Sequence, residues 1–318
     1  MAETIGDDAE QDDDGRLRRA ATYASVGVAL TLIAAKLAAY LYTESVSILS
    51  SLIDSSSDLL ASVVTLLGVR VALRPPDRSH RYGHGKAEPL AALAQAAFVA
   101  GSAVFLTYEA INRLFNPVAI QESSAGIAVM VFSIVLTVGL VAFQRRVIRR
   151  TGSMAIGADS LHYSGDLFMN LAVIAALVLT GMTGIPILDP LFALGIAAFL
   201  IVGAFRIAKG SLDTLMDREL PHGDRKRIRE IVMAHPATRG MHDLRTRNAG
   251  ITLFIELHLE LDSELTLAEA HDITDEVECR LTEAFPQAEV IVHQEPFGLS
   301  DDRLDTRIAE AGRLRRGS

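Results

Sequence analysis

Six long apolar segments constrain this chain more than any other feature of its sequence. They cover about residues 21–43, 47–72, 88–113, 123–144, 154–181 and 186–208. A helix needs about 20 mostly apolar residues to cross the hydrocarbon core of a bilayer, and each segment reaches that length. The mean hydropathy is +0.29, which is high for a chain in which 22% of the residues are charged. The sequence therefore predicts a membrane α-helical bundle of six transmembrane helices in a lipid bilayer.

The stretch before the first segment, residues 1–15, is strongly acidic. A cleaved signal peptide begins with a basic region, so the first segment is predicted to remain as a span. Composition predicts that the acidic stretch is disordered. A role in collecting metal is the alternative for this stretch.

Basic residues fall on alternate connections between the segments. They precede the first segment and follow the second, the fourth and the sixth: Arg16, Arg18, Arg19, Arg74, Arg78, Arg81, Lys86, Arg145, Arg146, Arg149, Arg150, Arg206 and Lys209. The other connections carry almost none, and Arg113 is the main exception. Because loops rich in Lys and Arg stay in the cytoplasm, both termini are predicted to be cytoplasmic.

The charge balance changes near residue 212. Residues 15–212 carry 16 Lys and Arg against 10 Asp and Glu, whereas residues 213–297 carry 9 against 18. We therefore predict a transmembrane domain over 16–212, an acidic soluble domain over 213–297 and a flexible tail over 298–318, for which a short helix at its end is the alternative. The net charge of −9 comes mostly from the N-terminal acidic run and the soluble domain, and it does not indicate nucleic acid as a partner.

The soluble domain has a readable order of elements. Helices are predicted over 221–235 and 266–285, and strands over 239–248, 250–262 and 288–294. This αββαβ order predicts a small α+β, ferredoxin-like domain with helices packed on one face of an open sheet. The lone Cys279 excludes an intrachain disulfide and a Cys-rich metal site.

Two pairs of ionisable residues lie inside apolar segments, each spaced one helical turn apart: Asp54 with Asp58, and His162 with Asp166. Residues four apart share a helix face. A charge at the bilayer centre costs about 2.5–3.5 kcal/mol, so such residues usually face a cavity or an ion. Three carboxylates and one imidazole suit a divalent transition metal, so the pairs predict a metal path. The alternative is a buried hydrogen-bonding set that holds helices together.

Three further ionisable residues lie within apolar segments. Asp159 precedes His162 by three residues, so it is either a partner that orients the imidazole or a group in water at the cytoplasmic mouth. Lys36 and Glu109 are interpreted as snorkelling or interfacial residues outside the path.

Two other groups contain metal-ligand residue types. Asp77, His80 and His84 lie in a loop that Gly83 and Gly85 keep from forming a continuous helix. Their spacing alone leaves a metal site and a solvated loop both open. The soluble domain carries His242, His258, His271 and His293, which form no linear metal motif and which spacing alone assigns to the surface.

The chain resembles the cation diffusion facilitator family over about residues 16–297. The motifs that carry the resemblance are SVSILSSLIDSSSD, HRYGHGKAEPLAALAQ, FQRRVIRRTGS, ADSLHYSGD, LMDRELP, HDLRTRNAG and VIVHQEP. The resemblance implies a homodimer of six-span protomers in the bacterial inner membrane, with cytoplasmic metal-binding domains that dimerise. It also implies export of divalent metal against an inward flow of protons.

The resemblance also implies roles for individual residues. These are a transport site of Asp54, Asp58, His162 and Asp166, a loop site of Asp77, His80 and His84, a cytoplasmic cluster of His242, His258, His271, His293, Gln294 and Glu295, and a hinge salt bridge between Lys86 and Asp217. Glu295 departs from the family pattern, which has Asp at this position, so its carboxylate stands on a longer arm.

The ligand types limit which metal ions can bind and which class of protein the chain can belong to. A set of oxygen and nitrogen ligands without thiolate suits Zn²⁺ and excludes Cu(I), whereas Cd²⁺, Fe²⁺ and Co²⁺ fit the same geometry. An intramembrane metalloprotease needs a His-Glu-x-x-His helix, and the loop HRYGH lacks that glutamate. We therefore expect a transporter that is not an enzyme; a membrane-bound zinc sensor or scaffold that moves no metal is the alternative.

Overall fold

The computed structural model describes residues 4–116, 124–183, 187–299 and 303–316. The chain divides into two compact units, Met1–Leu212 and Asp213–Ser318. Each unit has apolar side chains packed in its own interior.

Within the described residues, the first unit is built from six long helices. They are α1 (Thr4–Thr43), α2 (Val46–Ala72), α3 (Ala87–Phe115), α4 (Ser124–Thr151), α5 (Met154–Thr183) and α6 (Leu188–Leu215). Over the part of the chain that the structure describes, α1, α2, α3, α4 and α6 each contain a stretch that is long and apolar enough to cross a membrane. Helix α5 has a similar length, and its ionisable residues Asp159, His162 and Asp166 all lie in its first half. The predicted bundle is confirmed as five strongly apolar helices with α5 as the sixth.

The structure differs from prediction at the acidic N-terminus, where α1 already begins at Thr4 instead of after residue 15. Oppositely charged side chains hold this part of α1 against the end of α4. Arg150 pairs with Asp13 at 2.5 Å and with Asp14 at 2.8 Å. The acidic stretch therefore complements the basic end of a neighbouring helix, a contact that composition alone does not reveal.

Helices α5 and α6 pack through reciprocal glycine–leucine contacts. A Cβ added at Gly203 of α6 would lie 2.7 Å from Leu161 of α5, and one added at Gly165 of α5 would lie 2.8 Å from Leu200 of α6. Small residues allow membrane helices to approach closely. The contact fixes the rotation of α5, which carries two of the predicted metal ligands.

The second unit contains the predicted αββαβ order followed by one more helix. Its elements are α7 (His222–Met233), β1 (Gly240–Asn248), β2 (Leu253–Leu261), α8 (Leu267–Ala284), β3 (Ala288–Pro296) and α9 (Leu304–Arg316). Strand β2 is central, antiparallel to β1 and parallel to β3. The predicted α+β fold is confirmed.

The core of the second unit lies between the sheet and helices α7 and α8. Leu253, Ile255, Leu257 and Leu259 of β2 alternate toward this core, as predicted, and the last three are fully buried. They meet apolar residues of both helices, such as Ile228, Val232, Val277 and Leu281. Polar residues of the strands are left to the other face of the sheet.

Helix α8 begins with a capping box. The Thr266 hydroxyl accepts a hydrogen bond from the Glu269 amide, and the Glu269 carboxylate accepts one from the Thr266 amide at 2.8 Å. These bonds from Thr266 hold the pKa of Glu269 below its ordinary value. The box satisfies amides that have no partner inside the helix.

Helix α9 lies in the segment 298–318, and its described residues form the short terminal helix that the sequence held as the alternative to a flexible tail. Asp243 of β1 adopts a left-handed backbone (φ 50°) at a register shift of the β1–β2 pairing. Its carboxylate accepts hydrogen bonds from the amides of Leu304 at 2.8 Å and Asp305 at 2.9 Å. A strand residue therefore caps the first turn of α9, which holds the described part of the tail against β1.

Candidate metal sites

The first candidate site lies between α2 and α5. The Nε2 atom of His162 lies 2.9 Å from Oδ1 of Asp58 and 3.6 Å from Oδ2 of Asp166. One ligand atom from each residue lies within 4.8 Å of the others. The structure thus brings three of the four predicted ligands to one point, joining two helices whose ligands are 104 residues apart.

These three atoms fit a divalent metal as cargo. Zinc bonds of about 2.0–2.1 Å to nitrogen and oxygen place tetrahedral ligand atoms about 3.3 Å apart. The two distances at His162 lie on either side of that value. In addition, Oδ2 of Asp166 is buried and has no hydrogen-bond partner among the described residues. A cation would satisfy an oxygen that is otherwise costly to bury.

Asp54, the fourth predicted ligand, lies outside the set of three atoms. It lines the same cavity as Asp58, His162 and Asp166, one turn nearer the start of α2. Four residues advance a helix by slightly more than one turn, so the two aspartates face similar but not identical directions. Asp54 therefore stands at the wall of the site in this structure.

Lys36 is placed differently from its interpretation as a snorkelling residue, which is wrong. Its Nζ donates hydrogen bonds to Oγ of Ser55 at 2.7 Å and to the carbonyl of Ser51 at 3.1 Å. The side chain is buried and lines the cavity that holds the three ligands. The hydroxyl-rich face of α2 supplies the acceptors that keep this cation inside the bundle.

Asp159 is almost completely buried, so its placement in water at the cytoplasmic mouth is wrong. Its carboxylate accepts hydrogen bonds from one side chain on each of α1, α2, α3 and α4: Ser25 (2.6 Å), Ser62 (3.4 Å), Gln95 (3.3 Å) and Gln144 (2.7 Å). Asp159 therefore ties four helices to α5. The polar partners are scattered along the sequence, so spacing gives no signal of them.

A second cavity continues from the first toward the end of α3. Asp54 lines both cavities, and the second is also lined by Glu109, Arg113 and Asp189. Arg113 pairs with Glu109 at 2.9 Å and with Asp189 at 3.2 Å. Glu109 thus belongs to an ion-pair group near the helix ends, in keeping with its interfacial interpretation.

The opposite end of the bundle is closed by a buried ion pair. Arg18 of α1 lies 2.5 Å from Glu88 at the start of α3, and both side chains are less than 10% exposed. Arg18 also donates a hydrogen bond to the carbonyl of Thr151 at 2.6 Å. Three helices are joined here by one guanidinium group.

The loop between α2 and α3 brings its three predicted residues together. Asp77 lies 3.4 Å from His80 and 3.4 Å from His84, through different carboxylate oxygens. The carboxylate also accepts hydrogen bonds from the amides of His80 and Ser79, and these lower the pKa of Asp77. The bent path allowed by Gly83 (φ 76°) lets the loop fold back on itself.

The third candidate site crosses the sheet of the second unit. His242 of β1, His258 of β2 and His293 of β3 occupy one row of the strand register. Ligand atoms of His242, His258 and Glu295 lie within 4.8 Å of one another, and we name these residues the three-strand cluster. Oε1 of Glu295 lies 2.7 Å from His258 and 3.4 Å from His293, and Oε2 lies 3.2 Å from His242.

The other predicted members lie outside the three-strand cluster of the described chain. His271 is exposed on α8 and lies 3.5 Å from Asp275. Gln294 pairs in register with Leu259, whose side chain faces the core, so it lies on the opposite face from His293.

Sequence reasoning missed Glu260 and Arg303. Oε1 of Glu260 lies 2.8 Å from Nδ1 of His242 and 2.8 Å from Nη2 of Arg303. The position of Glu260, two residues after His258 on the same strand face, was the available signal. Arg303 gave no signal because its contact depends on how the tail folds back.

The predicted hinge pair falls in the two separate units. Lys86 directly precedes α3 in the first unit. Asp217 has a left-handed backbone (φ 55°) and lies 3.8 Å from Arg247 in the second unit. The ion pair between Lys86 and Asp217 stays a prediction.

Two family models match nearly all of the chain. The model of the cation efflux transmembrane domain matches residues 22–216, and that of the cation efflux protein cytoplasmic domain matches residues 220–297. The cation-efflux pump FieF of Shewanella oneidensis is 50% identical over 87% of this chain and 93% of its own length. Those of Cronobacter sakazakii and Pectobacterium atrosepticum are 46% and 45% identical, over 89% and 92% of this chain and 94% and 97% of their own lengths.

Proposed function

The chain belongs to the cation efflux family, the cation diffusion facilitators, and on that premise we propose that it exports Zn²⁺ from the cytoplasm in exchange for protons. The observation that carries the proposal is the set of Asp58, His162 and Asp166, whose ligand atoms converge inside a membrane-type bundle. Its relatives are named as pumps, and neither matched model is catalytic. Transport without covalent chemistry accounts for a site made only of metal ligands.

The ligand types favour zinc over other cargo. One imidazole and two carboxylates in the set, with Asp54 at the wall, give no soft ligand for Cu(I). Manganese prefers oxygen ligands, so the imidazole works against it. Cd²⁺, Fe²⁺ and Co²⁺ remain secondary cargoes, because the same oxygen and nitrogen ligands also bind these cations.

Proton exchange follows from the same ligands. A carboxylate or an imidazole binds metal only after it has released its proton, so metal and protons compete for His162 and the aspartates. The competition lets protons arriving from outside displace the metal. Each transport cycle then returns the site to the cytoplasm in protonated form.

The cavities support an outward-facing state with both termini in the cytoplasm of a bacterial inner-membrane protein. With that orientation, the Glu109–Arg113–Asp189 group lies at the outer end of the bundle. The cavity that shares Asp54 with the site runs toward this group. The buried Arg18–Glu88 pair closes the cytoplasmic end. Alternating access then requires that this pair opens when the outer cavity closes.

The second unit is proposed to dimerise and to bind regulatory zinc. The matched cytoplasmic domain is shared by proteins of the cation efflux family. The three-strand cluster offers two imidazoles and one carboxylate. His271 and Gln294 lie apart from this cluster within one chain. We therefore propose that they meet residues of the second subunit in a homodimer. The loop residues Asp77, His80 and His84 form a weaker, accessory site.

The test is zinc uptake into proteoliposomes under an imposed pH gradient. We expect uptake that follows the gradient in the wild type and is lost in Asp58→Asn. Ser56→Ala is the matched control, because Ser56 lies on the same helix, is exposed, and bonds only to the Leu52 carbonyl among the described contacts. Uptake that survives in Asp58→Asn would place the metal path elsewhere.

The alternative of a zinc sensor or scaffold gives a different result in the same experiment. A sensor binds zinc with the same residues but moves none across the membrane. Folded wild-type protein that binds zinc and shows no uptake under any gradient would therefore support the sensor and contradict the transporter.

A further inference from the structure

We propose that the C-terminal helix α9 positions a ligand of the three-strand cluster, through a chain of contacts from Arg303 to Glu260 to His242. This inference rests on the proposed metal binding at that cluster. It assigns positioning roles to two residues that do not themselves belong to the ligand set. It also assigns the C-terminal segment with Arg303 and α9 a role in regulating the cytoplasmic domain.

The first step is the contact between Glu260 and His242. Nδ1 of His242 lies 2.8 Å from Oε1 of Glu260, and both side chains are less than 10% exposed. A carboxylate at this position accepts a hydrogen bond from Nδ1–H, so Nε2 keeps its lone pair for a metal. That Nε2 lies 3.2 Å from Oε2 of Glu295, inside the three-strand cluster. Glu260 thus sets the ring orientation that metal binding needs.

The second step is the contact that holds Glu260. A buried carboxylate is costly unless it is paired and hydrogen-bonded. Arg303 donates to the same Oε1 at 2.8 Å, so the guanidinium supplies that partner. Without Arg303, the neutral imidazole of His242 is left as the remaining described partner of Oε1. Solvation by water then favours a Glu260 carboxylate that turns away from the cluster. The His242 ring loses the contact at Nδ1 and becomes free to rotate.

The third step is the attachment of α9 itself. Asp243, directly after His242, caps the amides of Leu304 and Asp305, and the Asp305 carboxylate accepts a hydrogen bond from the Asp243 amide at 3.0 Å. The helix start is therefore bonded in both directions to the strand that carries the metal ligand. Arg303, which precedes this turn, is held close to Glu260 as a result.

The contact belongs to this chain's own tail. The matched cytoplasmic-domain model ends at residue 297, before Arg303 and α9. The matched region therefore contains the cluster and Glu260, whereas Arg303, the cation that holds Glu260, lies beyond it. Because linkage is reciprocal, metal that binds better with α9 attached must also favour the attachment of α9 by the same factor.

The experiment measures both sides of this linkage in the full-length protein in detergent. A D58N/D77N background weakens the other two sites. Zinc affinity is measured against a competing chelator, and hydrogen exchange is followed in α9. We expect Arg303→Gln to bind zinc about tenfold more weakly, the lower end for loss of a residue that orients a metal ligand. We expect zinc to slow exchange in α9 with Arg303 present and to leave it unchanged in Arg303→Gln.

Arg313→Gln is the matched control, because Arg313 is exposed on the same helix and the charge change is equal. We expect it to bind zinc as the parent protein does. Arg303→Lys keeps a cation at the position, so partial recovery of affinity would distinguish positioning from a folding defect. The visible spectrum of Co²⁺ in the cluster adds a second readout, which should change in Arg303→Gln and not in Arg313→Gln.

Equal zinc affinity for Arg303→Gln and Arg313→Gln, with exchange in α9 indifferent to zinc, would overturn the inference. Failure of the proposed function looks different. It would appear as absence of uptake in wild-type proteoliposomes, whereas the affinity and exchange experiment needs no transport. Each proposal can therefore fail alone.

Discussion

The Nε2 atom of His162 on α5 lies 2.9 Å from Oδ1 of Asp58 on α2, and this contact joins the two ligand-bearing helices. His162 is also the only imidazole in the three-atom set. We predict that His162→Asp broadens cargo toward Cd²⁺ and Mn²⁺, because an all-oxygen set loses the preference for zinc. Competition between metals in the uptake assay measures this, and an unchanged zinc preference would contradict it.

The two aspartates of α2, Asp54 and Asp58, are predicted to contribute unequally to zinc affinity. Asp58 belongs to the three-atom set, whereas Asp54 lies at the wall of the same cavity. Removing one partner of a buried charged contact costs about 2 kcal/mol or more, which corresponds to roughly 30-fold in affinity. We expect Asp58→Asn to weaken zinc binding by at least this factor and Asp54→Asn by less. Equilibrium zinc titration of the two variants tests the order, and the reverse order would show that the loaded site recruits Asp54.

The glycine contact between α5 and α6 predicts a packing defect. A Cβ at position 203 would lie 2.7 Å from both δ-methyl groups of Leu161, so Gly203→Ala requires the Leu161 side chain to move from its place between α5 and α6. Overpacking of this kind costs about 1–3 kcal/mol. We expect a lower thermal midpoint in detergent and slower uptake.

The chain offers its own control for that variant. Gly195 lies on the same helix with open space where a Cβ would stand, so Gly195→Ala should leave the midpoint unchanged. Adding Leu161→Ala to Gly203→Ala should restore part of the loss. Equal effects of the two glycine variants would point to helix propensity and not to packing.

The capping box of α8 predicts a pH-dependent contribution to stability. Bonds from Thr266 hold the pKa of Glu269 below its ordinary value, so folding favours the ionised carboxylate. The contribution is present above the ordinary carboxyl pKa of about 4.3 and is lost as the pH falls through the lower folded value. We expect Glu269→Gln to destabilise the second unit at pH 7, and we expect its difference from the wild type to shrink as the pH falls below the ordinary carboxyl pKa.

Denaturant unfolding of full-length protein, followed by hydrogen exchange in α8, measures this difference. Glu283→Gln, an exposed change near the other end of the same helix, is the control. A difference between wild type and Glu269→Gln that stays the same size from pH 7 down to pH 3 would contradict the capping explanation.

Local patterns made much of the architecture predictable. Apolar length gives the spans, the i, i+4 spacing puts His162 and Asp166 on one face of α5, and the alternation in β2 gives the inward residues Ile255 and Leu257. These features depend on the period of one helix or one strand. They need no knowledge of which elements are neighbours.

The parts that escaped prediction all depend on packing between distant segments. The sequence around Lys36 does not show its hydroxyl partner Ser55, which lies on another helix, and the sequence around Arg303 does not show Glu260, which lies 43 residues away. The row from His242 to His293 also requires the strand order. Charge and spacing identify the residue types for chemistry, but the contacts arise only when the elements assemble.

The carboxylate of Asp159 collects one hydrogen bond from each of the first four helices. During synthesis α5 emerges after those four, and an unsatisfied acid in hydrocarbon is costly. Its full set of partners exists only once all four predecessors are in place around it. The order of the helices along the chain thus matches the needs of this side chain, because every helix that donates to Asp159 precedes α5 in the sequence.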